Sequence, residues 1–276
     1  MSKRFTESEI NFIKEYYPDY GSKFCADKLD RSIDSIQSKA SRLGITRNRS
    51  ITLDGDGINF KETSLELNIS QESMSKEMAY FLGFFWADGY IKPDMKGIII
   101  EIVKDDGDDI KHIFDKVCSW RIYERDRKGR KKQMSFYTSS ASSASLLSAL
   151  GKYSKSSESH EKILDFIPNE FKIYFIRGLI DGDGCFYYNN KSTQICISSN
   201  YNQDWEALIE YFHSIGVNMK VSKENLNSGK SSYIRCTDLQ QIYHLFKTLY
   251  ANEDGVYLTR KFNKMKEIIT KRNLRG

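Results

Sequence analysis

An internal repeat limits the possible folds of this chain more than any other feature. The segment YFLGFFWADGYI at 80–91 returns as FIRGLIDGDGCF at 175–186, and residues 109–117 likewise parallel residues 204–212. The repeat aligns Gly83 with Gly178, Asp88 with Asp183 and Gly89 with Gly184, a shift of 95 residues. Each half reads as helix, two strands, helix, two strands, helix. We therefore predict an α+β domain with a pseudo-twofold αββαββα repeat.

The repeated segments end in small residues followed by an acid. Gly83 and Ala87 are four residues apart, as are Gly178 and Gly182, so each helix presents small residues on one face. Two such helices can pack with their backbones close together, which brings their ends side by side.

Asp88 and Asp183 then face each other at two helix C-termini. Both mutual repulsion and the helix dipoles disfavour two negative charges there, and a bound divalent cation would relieve both. Ligands that are all oxygen favour Mg²⁺, while Mn²⁺ or Ca²⁺ can substitute for binding. A metal-linked pair of carboxylates is suited to hydrolysis of phosphodiester bonds.

The two segments resemble the LAGLIDADG homing endonuclease family in its single-chain, two-motif form. The nine-letter motif corresponds to residues 81–89 and 176–184, and the resemblance extends over roughly residues 76–272. Both copies keep the acid at the eighth letter, whereas the first copy has Trp86 where the motif usually has Asp. The resemblance implies a saddle-shaped antiparallel sheet, metal contacts from Asp88 and Asp183, and further metal contacts from the backbone carbonyls of Ala87 and Gly182.

The family resemblance also implies a basic residue after the last strand of each half. We assign Lys261 in YLTRKFNK, with Arg260 as the alternative, and Lys155 in GKYSKSSES. Their catalytic role would be electrostatic, close to the nucleophile or the charged phosphorane. An ordinary surface lysine remains the alternative for each. Asp105 and Asn200 occupy positions where the family often orients water.

Residues 5–45 predict a separate helical unit. A Thr6–Glu9 capping box opens the first helix, Pro18 and Gly21 end it, a short second helix carries Phe24, Cys25 and Leu29, and Ser32 caps a third helix ended by Gly44. On the third helix we expect Ile33, Ile36, Ala40 and Leu43 to face inward. The unit resembles the Myb-like helix-turn-helix modules of phage and bacterial DNA-processing proteins; any small three-helix domain is the alternative. Its candidate DNA contacts are Ser35, Gln37, Ser38, Lys39 and Arg42.

The strands carry polar side chains in alternation, which indicates one face that contacts DNA and one that contacts the core. In SWRIYERDR, Trp120 and Ile122 alternate with cationic and tyrosine side chains. The candidate contacts on the first half are Arg121, Tyr123, Arg125, Arg127, Arg130, Gln133 and Tyr137. Those on the second half are Lys220, Ser222, Tyr233 and Arg235. Arg47 and Arg49, which follow the N-terminal unit, are further candidates.

We divide the chain into a helix-turn-helix domain at 1–45, a linker at 46–75, and two halves of the repeat at 76–170 and 171–276. The linker contains the letters DGDG at 54–57, which also occur in the second motif at 181–184. The copy at 54–57 has no apolar helix before it and no repeat partner. We interpret that stretch as a turn.

The composition excludes several classes of protein. The five cysteines are scattered without CxxC spacing and the four histidines are isolated, which argues against a disulfide framework and a zinc knuckle. No secretory h-region and no apolar run of membrane-spanning length occurs. We expect a cytoplasmic protein of a bacterial or phage-infected cell, acting as a monomer on double-stranded DNA with a long target site.

The predicted function is a site-specific, Mg²⁺-dependent double-strand DNA endonuclease of the homing type. The alternative is a non-catalytic nucleic-acid-binding protein on the same scaffold, either an intron RNA maturase or a transcription regulator. Retention of both motif acids favours the nuclease, because a binding module does not need two carboxylates that repel each other.

Overall fold

The structure is a computed structural model that divides into two compact units, residues 1–63 and residues 64–276. It describes residues 5–45, 67–126, 129, 131–153, 156–157, 159–189, 192–226 and 229–271.

In its described residues, 5–45, the N-terminal unit contains α1 (Glu7–Leu29) and α2 (Ile33–Arg42). Gly21, with φ 77°, interrupts the helical backbone of α1, so the unit has the three helical segments that the sequence predicts. Pro18 lies inside the first segment, and Gly21 alone makes the break. The Thr6 capping box and the Ser32 N-cap are both present. Its core consists of Ile13, Cys25, Ala26, Ile36 and Ala40.

The inward orientation predicted for Ile33 is wrong, because 43% of this residue is exposed. Ile33 is the first residue of α2. Side chains on a helix point back toward its N-terminus, so a residue in the first position extends past the end of the helix rather than onto its neighbour.

The first half of the larger unit contains α3 (Lys76–Asp88), β1 (Gly89–Ile91), β2 (Ile98–Val103), α4 (Lys104–Phe114), β3 (Arg121–Arg125), β4 (Gln133–Thr138), α5 (Ala141–Ala149), β5 (Lys152–Tyr153), β6 (Ser156–Ser157) and α6 (Glu161–Phe166). The second half contains α7 (Asn169–Asp183), β7 (Gly184–Tyr188), β8 (Thr193–Asn200), α8 (Glu206–Ser214), β9 (Lys220–Leu226), β10 (Gly229–Cys236), α9 (Leu239–Leu249) and α10 (Thr259–Lys271).

Each half builds its own four-stranded antiparallel sheet. The strand orders are β1-β2-β4-β3 and β7-β8-β10-β9, which are the same order in the two halves. The α+β repeat is thereby confirmed, with one sheet per half and an added short hairpin, β5–β6, after α5. The inward faces of the strands carry apolar side chains such as Ile100, Phe136, Ile197 and Ile234, all of which are buried.

Helices α3 and α7 pack against each other at the centre of the larger unit. A Cβ atom placed on Gly83 would lie 1.9 Å from the carbonyl oxygen of Phe175, and one placed on Gly178 would lie 2.0 Å from that of Tyr80. The two contacts are related by the same shift of 95 residues, so the packing has the predicted pseudo-twofold symmetry. At these distances only glycine fits.

The described part of the predicted linker belongs to the larger unit. Leu67, Ile69 and Met74 are buried in its core, and the backbone carbonyl of Leu67 accepts a hydrogen bond from Ser143 Oγ. Apolar residues spaced along residues 67–75 cover one side of that core, so the linker prediction is wrong for this stretch. Arg47 and Arg49 lie outside the described residues, as does the DGDG at 54–57.

His160, directly before α6, gives the larger unit an acid-sensitive point. Its ring is buried between Trp86 and Trp205, at centroid distances of 6.3 and 6.0 Å. Burial lowers the pKa of His160 from its usual 6.5 to about 4. The neutral ring is therefore the form that the folded protein prefers.

We expect the free energy of unfolding to fall by roughly 3 kcal/mol as the pH drops from about 6.5 to about 4. In that window the unfolded chain binds a proton at His160 that the folded chain does not, so stability is complete above pH 6.5. A His160→Phe variant lacks this step, and urea titrations of both proteins across the window measure it. Parallel stability curves for the two proteins would contradict this role of His160.

Candidate active site

The two motif acids occupy equivalent positions at the ends of the central helices. Asp88 is the last residue of α3 and Asp183 the last of α7. The glycines that follow have nearly identical extended conformations, with φ −77° and ψ 151° at Gly89 and φ −76° and ψ 145° at Gly184. Their N–H groups donate to Phe85 and Ile180 and end both helices in the same way.

Close packing brings these helix ends together. A Cβ atom on Gly182 would lie 2.3 Å from Ala87 Cβ and 3.4 Å from Asp88 Oδ2. Asp88 is exposed, whereas Asp183 is half-buried. Burial, and next the charge of Asp88, raise the pKa of Asp183 to about 7 against the opposing effect of two lysines. The pair therefore carries the charge conflict that a bound cation would remove.

Each helix end is accompanied by one buried lysine. Lys152 is fully buried, and its Nζ donates to the carbonyl oxygen of Trp86 at 2.7 Å. Lys261 Nζ donates to the carbonyl oxygens of Ile180, at 3.4 Å, and Gly184. The two ammonium groups thus lie in corresponding places beside the two motifs.

Burial lowers the pKa of both lysines. It brings that of Lys152 to about 8, against the attraction of Asp183 and Asp88. The pKa of Lys261 is also lowered, first by burial and then by the charge of Arg260. Desolvated cations of this kind interact strongly with an anion that enters the site, because water screens them little.

The sequence analysis did not identify Lys152 as the basic residue of the first half. It assigned Lys155 instead, which lies outside the described residues. Lys152 is followed by Tyr153 as Lys261 is followed by Phe262, so a shared lysine–aromatic pair was the available signal. Arg260, the alternative to Lys261, instead forms a two-bond ion pair with Asp106 at 2.6 Å.

Asp105 and Asn200 are the two residues that the family resemblance places where active-site water is often oriented. Asp105 is exposed in the first turn of α4. Asn200 Oδ1 accepts a hydrogen bond from the backbone N–H of Asn202, which makes Asn200 part of the turn after β8.

The sixth motif letter has a different role in each copy. Asp181 is buried, and its Oδ2 accepts hydrogen bonds from Tyr80 of α3 and from the backbone N–H of Leu258. It therefore ties the segment before α10 to both central helices. Trp86 replaces this anchor in the first copy with a buried ring that packs against His160 and Phe175.

The donor set at the helix ends suits a hard divalent cation. Two carboxylates, Asp88 and Asp183, are joined there by the carbonyls of Ala87 and Gly182, which follow the last carbonyls used in helix hydrogen bonds. Oxygen donors of this kind fit Mg²⁺ or Ca²⁺. Within the ranges that the structure describes, no group of three or more His, Cys, Asp and Glu side chains converges on a metal position.

The predicted polar face of the first sheet is assembled as the alternation indicates. Arg121 pairs with Tyr137, Tyr123 with Ser135, and Arg125 with Gln133 across β3 and β4, so these side chains share one face. Trp120 and Ile122 pack against the core. A cavity of about 530 Å³ runs along this face and is lined by Asp88, Tyr123, Arg125 and Tyr137, among others. Arg127 and Arg130 lie outside the described residues.

The second sheet repeats this arrangement. Lys220 pairs with Arg235, and Ser222 with Tyr233, which places all four side chains on one face. Tyr233 Oη also donates to Glu224 Oε1 at 2.9 Å on the same face. Two cations and a tyrosine thus lie together on the polar face of the second sheet.

The helix-turn-helix candidates in the N-terminal unit are exposed to different degrees. Gln37, Ser38 and Arg42 are exposed on α2, whereas Ser35 and Lys39 are half-buried. Lys39 Nζ lies 5.8 Å from the ring centroid of Phe5, and Gln37 Nε2 donates to Ser22 Oγ. Their contacts with DNA stay a prediction, as does the resemblance of the unit to Myb-like modules.

Curated relatives match a short part of the chain. Two uncharacterized proteins of Listeria innocua serovar 6a, Lin1255/Lin1742 and Lin2408, are each 39% identical to it over 56 residues, 20% of its length. The chain spans about a quarter of Lin1255/Lin1742, with 25% covered, and 74% of Lin2408.

Among the described helices, none combines the length and the apolar character that a membrane span requires.

Three of the solved structures to which this chain is similar are two DNA-bound homing endonucleases and a DUF199/WhiA protein. The homing endonuclease I-WcaI bound to its DNA recognition sequence has a TM-score of 0.48 and 15% identity, covering 78% of this chain and 95% of its own. I-DmoI in complex with DNA and Ca has a TM-score of 0.47 and 12% identity, covering 70% and 97%. Full-length DUF199/WhiA from Thermatoga maritima has a TM-score of 0.47 and 13% identity, covering 76% and 65%.

A family model described as a LAGLIDADG-like domain matches residues 170–275, which contain α7 and the second sheet. The first half repeats the element order, the helix-end glycine and the acid of that segment. Residues 170–275 therefore contain a LAGLIDADG-like domain, and its helix α7 packs through Gly178 against α3, in which Gly83 repeats the same pattern.

Proposed function

We propose that the duplicated unit is a site-specific double-strand DNA endonuclease that hydrolyses phosphodiester bonds with a divalent metal, preferably Mg²⁺. The observation that carries this proposal is the meeting of Asp88 and Asp183 with one buried lysine beside each motif. A module that only binds DNA has no use for a half-buried acid beside a second acid, with two buried cations at the same point, since burying each of these charges costs free energy.

Asp88 and Asp183, with the carbonyls of Ala87 and Gly182, would hold the metal. A divalent cation bound there would lower the pKa of the attacking water and would stabilise the leaving oxygen. Because Lys152 and Lys261 are held by backbone carbonyls, their charges are already oriented before DNA arrives. Each would stabilise the extra negative charge that develops on the phosphate during attack.

The polar faces of the two sheets would place the DNA over this site. Cationic side chains at Arg121, Arg125, Lys220 and Arg235 are exposed and would contact phosphates, while tyrosine and glutamine side chains would contact base edges. The N-terminal unit would bind flanking sequence and lengthen the target. A single chain carries both halves, so it would act as a monomer.

The direct test presents the full chain with Mg²⁺ and a library of duplex sequences, and maps cut positions by sequencing. Cuts on both strands at a recurring sequence are expected, with none when Mg²⁺ is chelated. Binding of a recurring sequence without any cut would favour the alternative, a non-catalytic nucleic-acid-binding protein. Replacement of the sixth-letter acid by Trp86 is the feature that makes this alternative worth testing.

Replacing Lys152 by methionine is expected to slow cleavage about 100-fold at saturating enzyme, with little change in DNA affinity. Methionine keeps most of the buried volume but removes the charge that faces the phosphate. Single-turnover cleavage of the recurring target measures the effect. Lys162→Met, on the exposed side of α6, is the matched control and should cleave like the unchanged protein. Equal rates for Lys152→Met and the control would exclude this role.

Arg121→Ala and Arg235→Ala are each expected to weaken DNA binding and to reduce the slope of log affinity against log salt by about one. The reason is that each substitution removes one phosphate contact and the counterion that it displaces. Fluorescence anisotropy at several salt concentrations measures both quantities. Unchanged slopes in both variants would show that the DNA does not lie on these faces.

A further inference from the structure

Two cysteines are directly opposed on the polar face of the second sheet. Cys185 of β7 pairs with Cys196 of β8 in the antiparallel register. Opposed residues have Cα atoms about 4.5–5.5 Å apart, which lies inside the range of about 4.4–6.8 Å that disulfides span. Burial, and next the neighbouring Cys185, raise the pKa of the Cys196 thiol, as expected for two adjacent thiols. The backbone therefore already holds them at bridging distance.

This pair also differs from the other cysteines in accessibility. Cys185 is exposed and Cys196 is half-buried, whereas the remaining three, Cys25, Cys118 and Cys236, are buried. A small oxidant in solution therefore reaches Cys185 first, and the neighbouring thiol is the nearest partner for the oxidised sulfur.

The position of the pair connects it with the candidate active site. Cys185 follows Gly184, whose carbonyl oxygen accepts the hydrogen bond from Lys261. Across the sheet, Cys196 is paired with Arg235, which in turn is paired with Lys220, so the thiols and the two cations form one transverse row. Nothing in the assigned hydrolytic chemistry uses either thiol.

We propose that Cys185 and Cys196 form an oxidative modification site, a dithiol that hydrogen peroxide or an organic hydroperoxide converts into a cross-strand disulfide. The Cys185 sulfur attacks one peroxide oxygen, the O–O bond breaks, and a sulfenic acid and one water (or alcohol) result. The Cys196 sulfur then attacks the sulfenic sulfur, the S–O bond breaks, and a second water leaves. Two thiols are oxidised by two electrons, and one peroxide is reduced.

The disulfide joins β7 to β8 directly after Asp183 and beside Lys261. Forming an S–S bond of about 2.0 Å draws the two sulfurs together and fixes the strand spacing next to the Gly184 carbonyl. Even small displacements of catalytic groups slow chemistry strongly. Resting on the proposed nuclease function, oxidation is expected to lower the cleavage rate on the order of tenfold or more. A thiol reductant is expected to restore the rate.

The test uses the full chain, reduced and then exposed to hydrogen peroxide, with peptide mapping by mass spectrometry under non-reducing conditions. A Cys185–Cys196 cross-linked peptide that dithiothreitol separates is expected. Free thiols after peroxide, sulfinic acid on Cys185 with Cys196 unpaired, or bridges between chains would each overturn the proposal.

Cysteine variants test separately whether the disulfide forms and whether it slows DNA cleavage. Cys185→Ser changes an exposed side chain and should abolish the bridge, while Cys25→Ala, in the other unit, should leave bridge formation unchanged. Cleavage is compared for each protein before and after peroxide, and only proteins that form the bridge should slow down. If the reduced protein never cuts DNA while the bridge still maps, the nuclease proposal fails and the modification site stands. If the bridged protein cuts DNA as fast as the protein with free thiols, the bridge does not affect the active site and that part of the proposal fails.

Discussion

Asp183→Asn is expected to reduce DNA cleavage by about 10³-fold or more while DNA binding persists. Asparagine has the shape of aspartate but lacks the charge that would hold the metal. In the structure Asp183 is the last residue of α7 and feels both Asp88 and the two buried lysines. Removing one negative charge also relieves the repulsion between the acids, so the variant should fold at least as stably as the unchanged protein.

The measurement is single-turnover cleavage of the recurring target with Mg²⁺, alongside binding with Ca²⁺. Asp88→Asn should show a loss of similar size, because one cation between the helix ends needs both acids. Asp165→Asn, an exposed acid on α6, is the matched control and should cleave normally. Cleavage by both motif variants at the rate of the control would remove these acids from the site.

Gly178→Ala is expected to cause a large loss of stability, comparable to that of Gly83→Ala at the equivalent position of α3. The new Cβ would lie 2.0 Å from the carbonyl oxygen of Tyr80 and 2.8 Å from the backbone N of Phe84. Both atoms belong to helix backbone, which cannot move aside as a flexible side chain can. We expect a loss of at least about 3 kcal/mol in the free energy of unfolding, or failure to fold.

Chemical denaturation followed by circular dichroism measures this loss. Gly107→Ala, in α4, is the matched control, since its Cβ would meet the Met134 side chain, with Sδ at 2.7 Å. The Met134 side chain must move, but unlike helix backbone it is flexible, and alanine gains about 1 kcal/mol of helix propensity over glycine, so the control should lose far less stability than Gly178→Ala. Equal stability of the two variants would mean that α3 and α7 do not pack as closely as the structure has them.

Much of the central packing was predictable because helix periodicity is a local property. Glycines four residues from a second small residue lie on one face of a helix whatever surrounds it. Because Gly83 and Gly178 repeat with Asp88 and Asp183, the meeting of the two helix ends followed from spacing alone. The faces on which side chains of β3, β4, β9 and β10 lie followed equally from alternation, since successive side chains of a strand must point to opposite faces.

The lysines show where spacing stops being informative. Lys152 and Lys155 are three residues apart after α5, and either could be placed near Trp86 by a short turn. Only the packed structure puts Lys152 Nζ on the Trp86 carbonyl, because the path of β5 depends on what it packs against. The linker prediction failed at residues 67–75 for a related reason, since three scattered apolar residues have no period that reveals a buried segment.

By itself, the sequence of this protein determined the duplicated α+β architecture, the helix pair and the two acids at its ends, because repeats, helical spacing and alternation are encoded residue by residue. The tertiary structure alone decided which lysine joins the first motif, that Asp181 anchors Leu258 while Trp86 packs on His160, and that Cys185 lies opposite Cys196. Those outcomes depend on contacts between segments distant in the chain, whose free energies are set by packing and desolvation at the place where the segments meet.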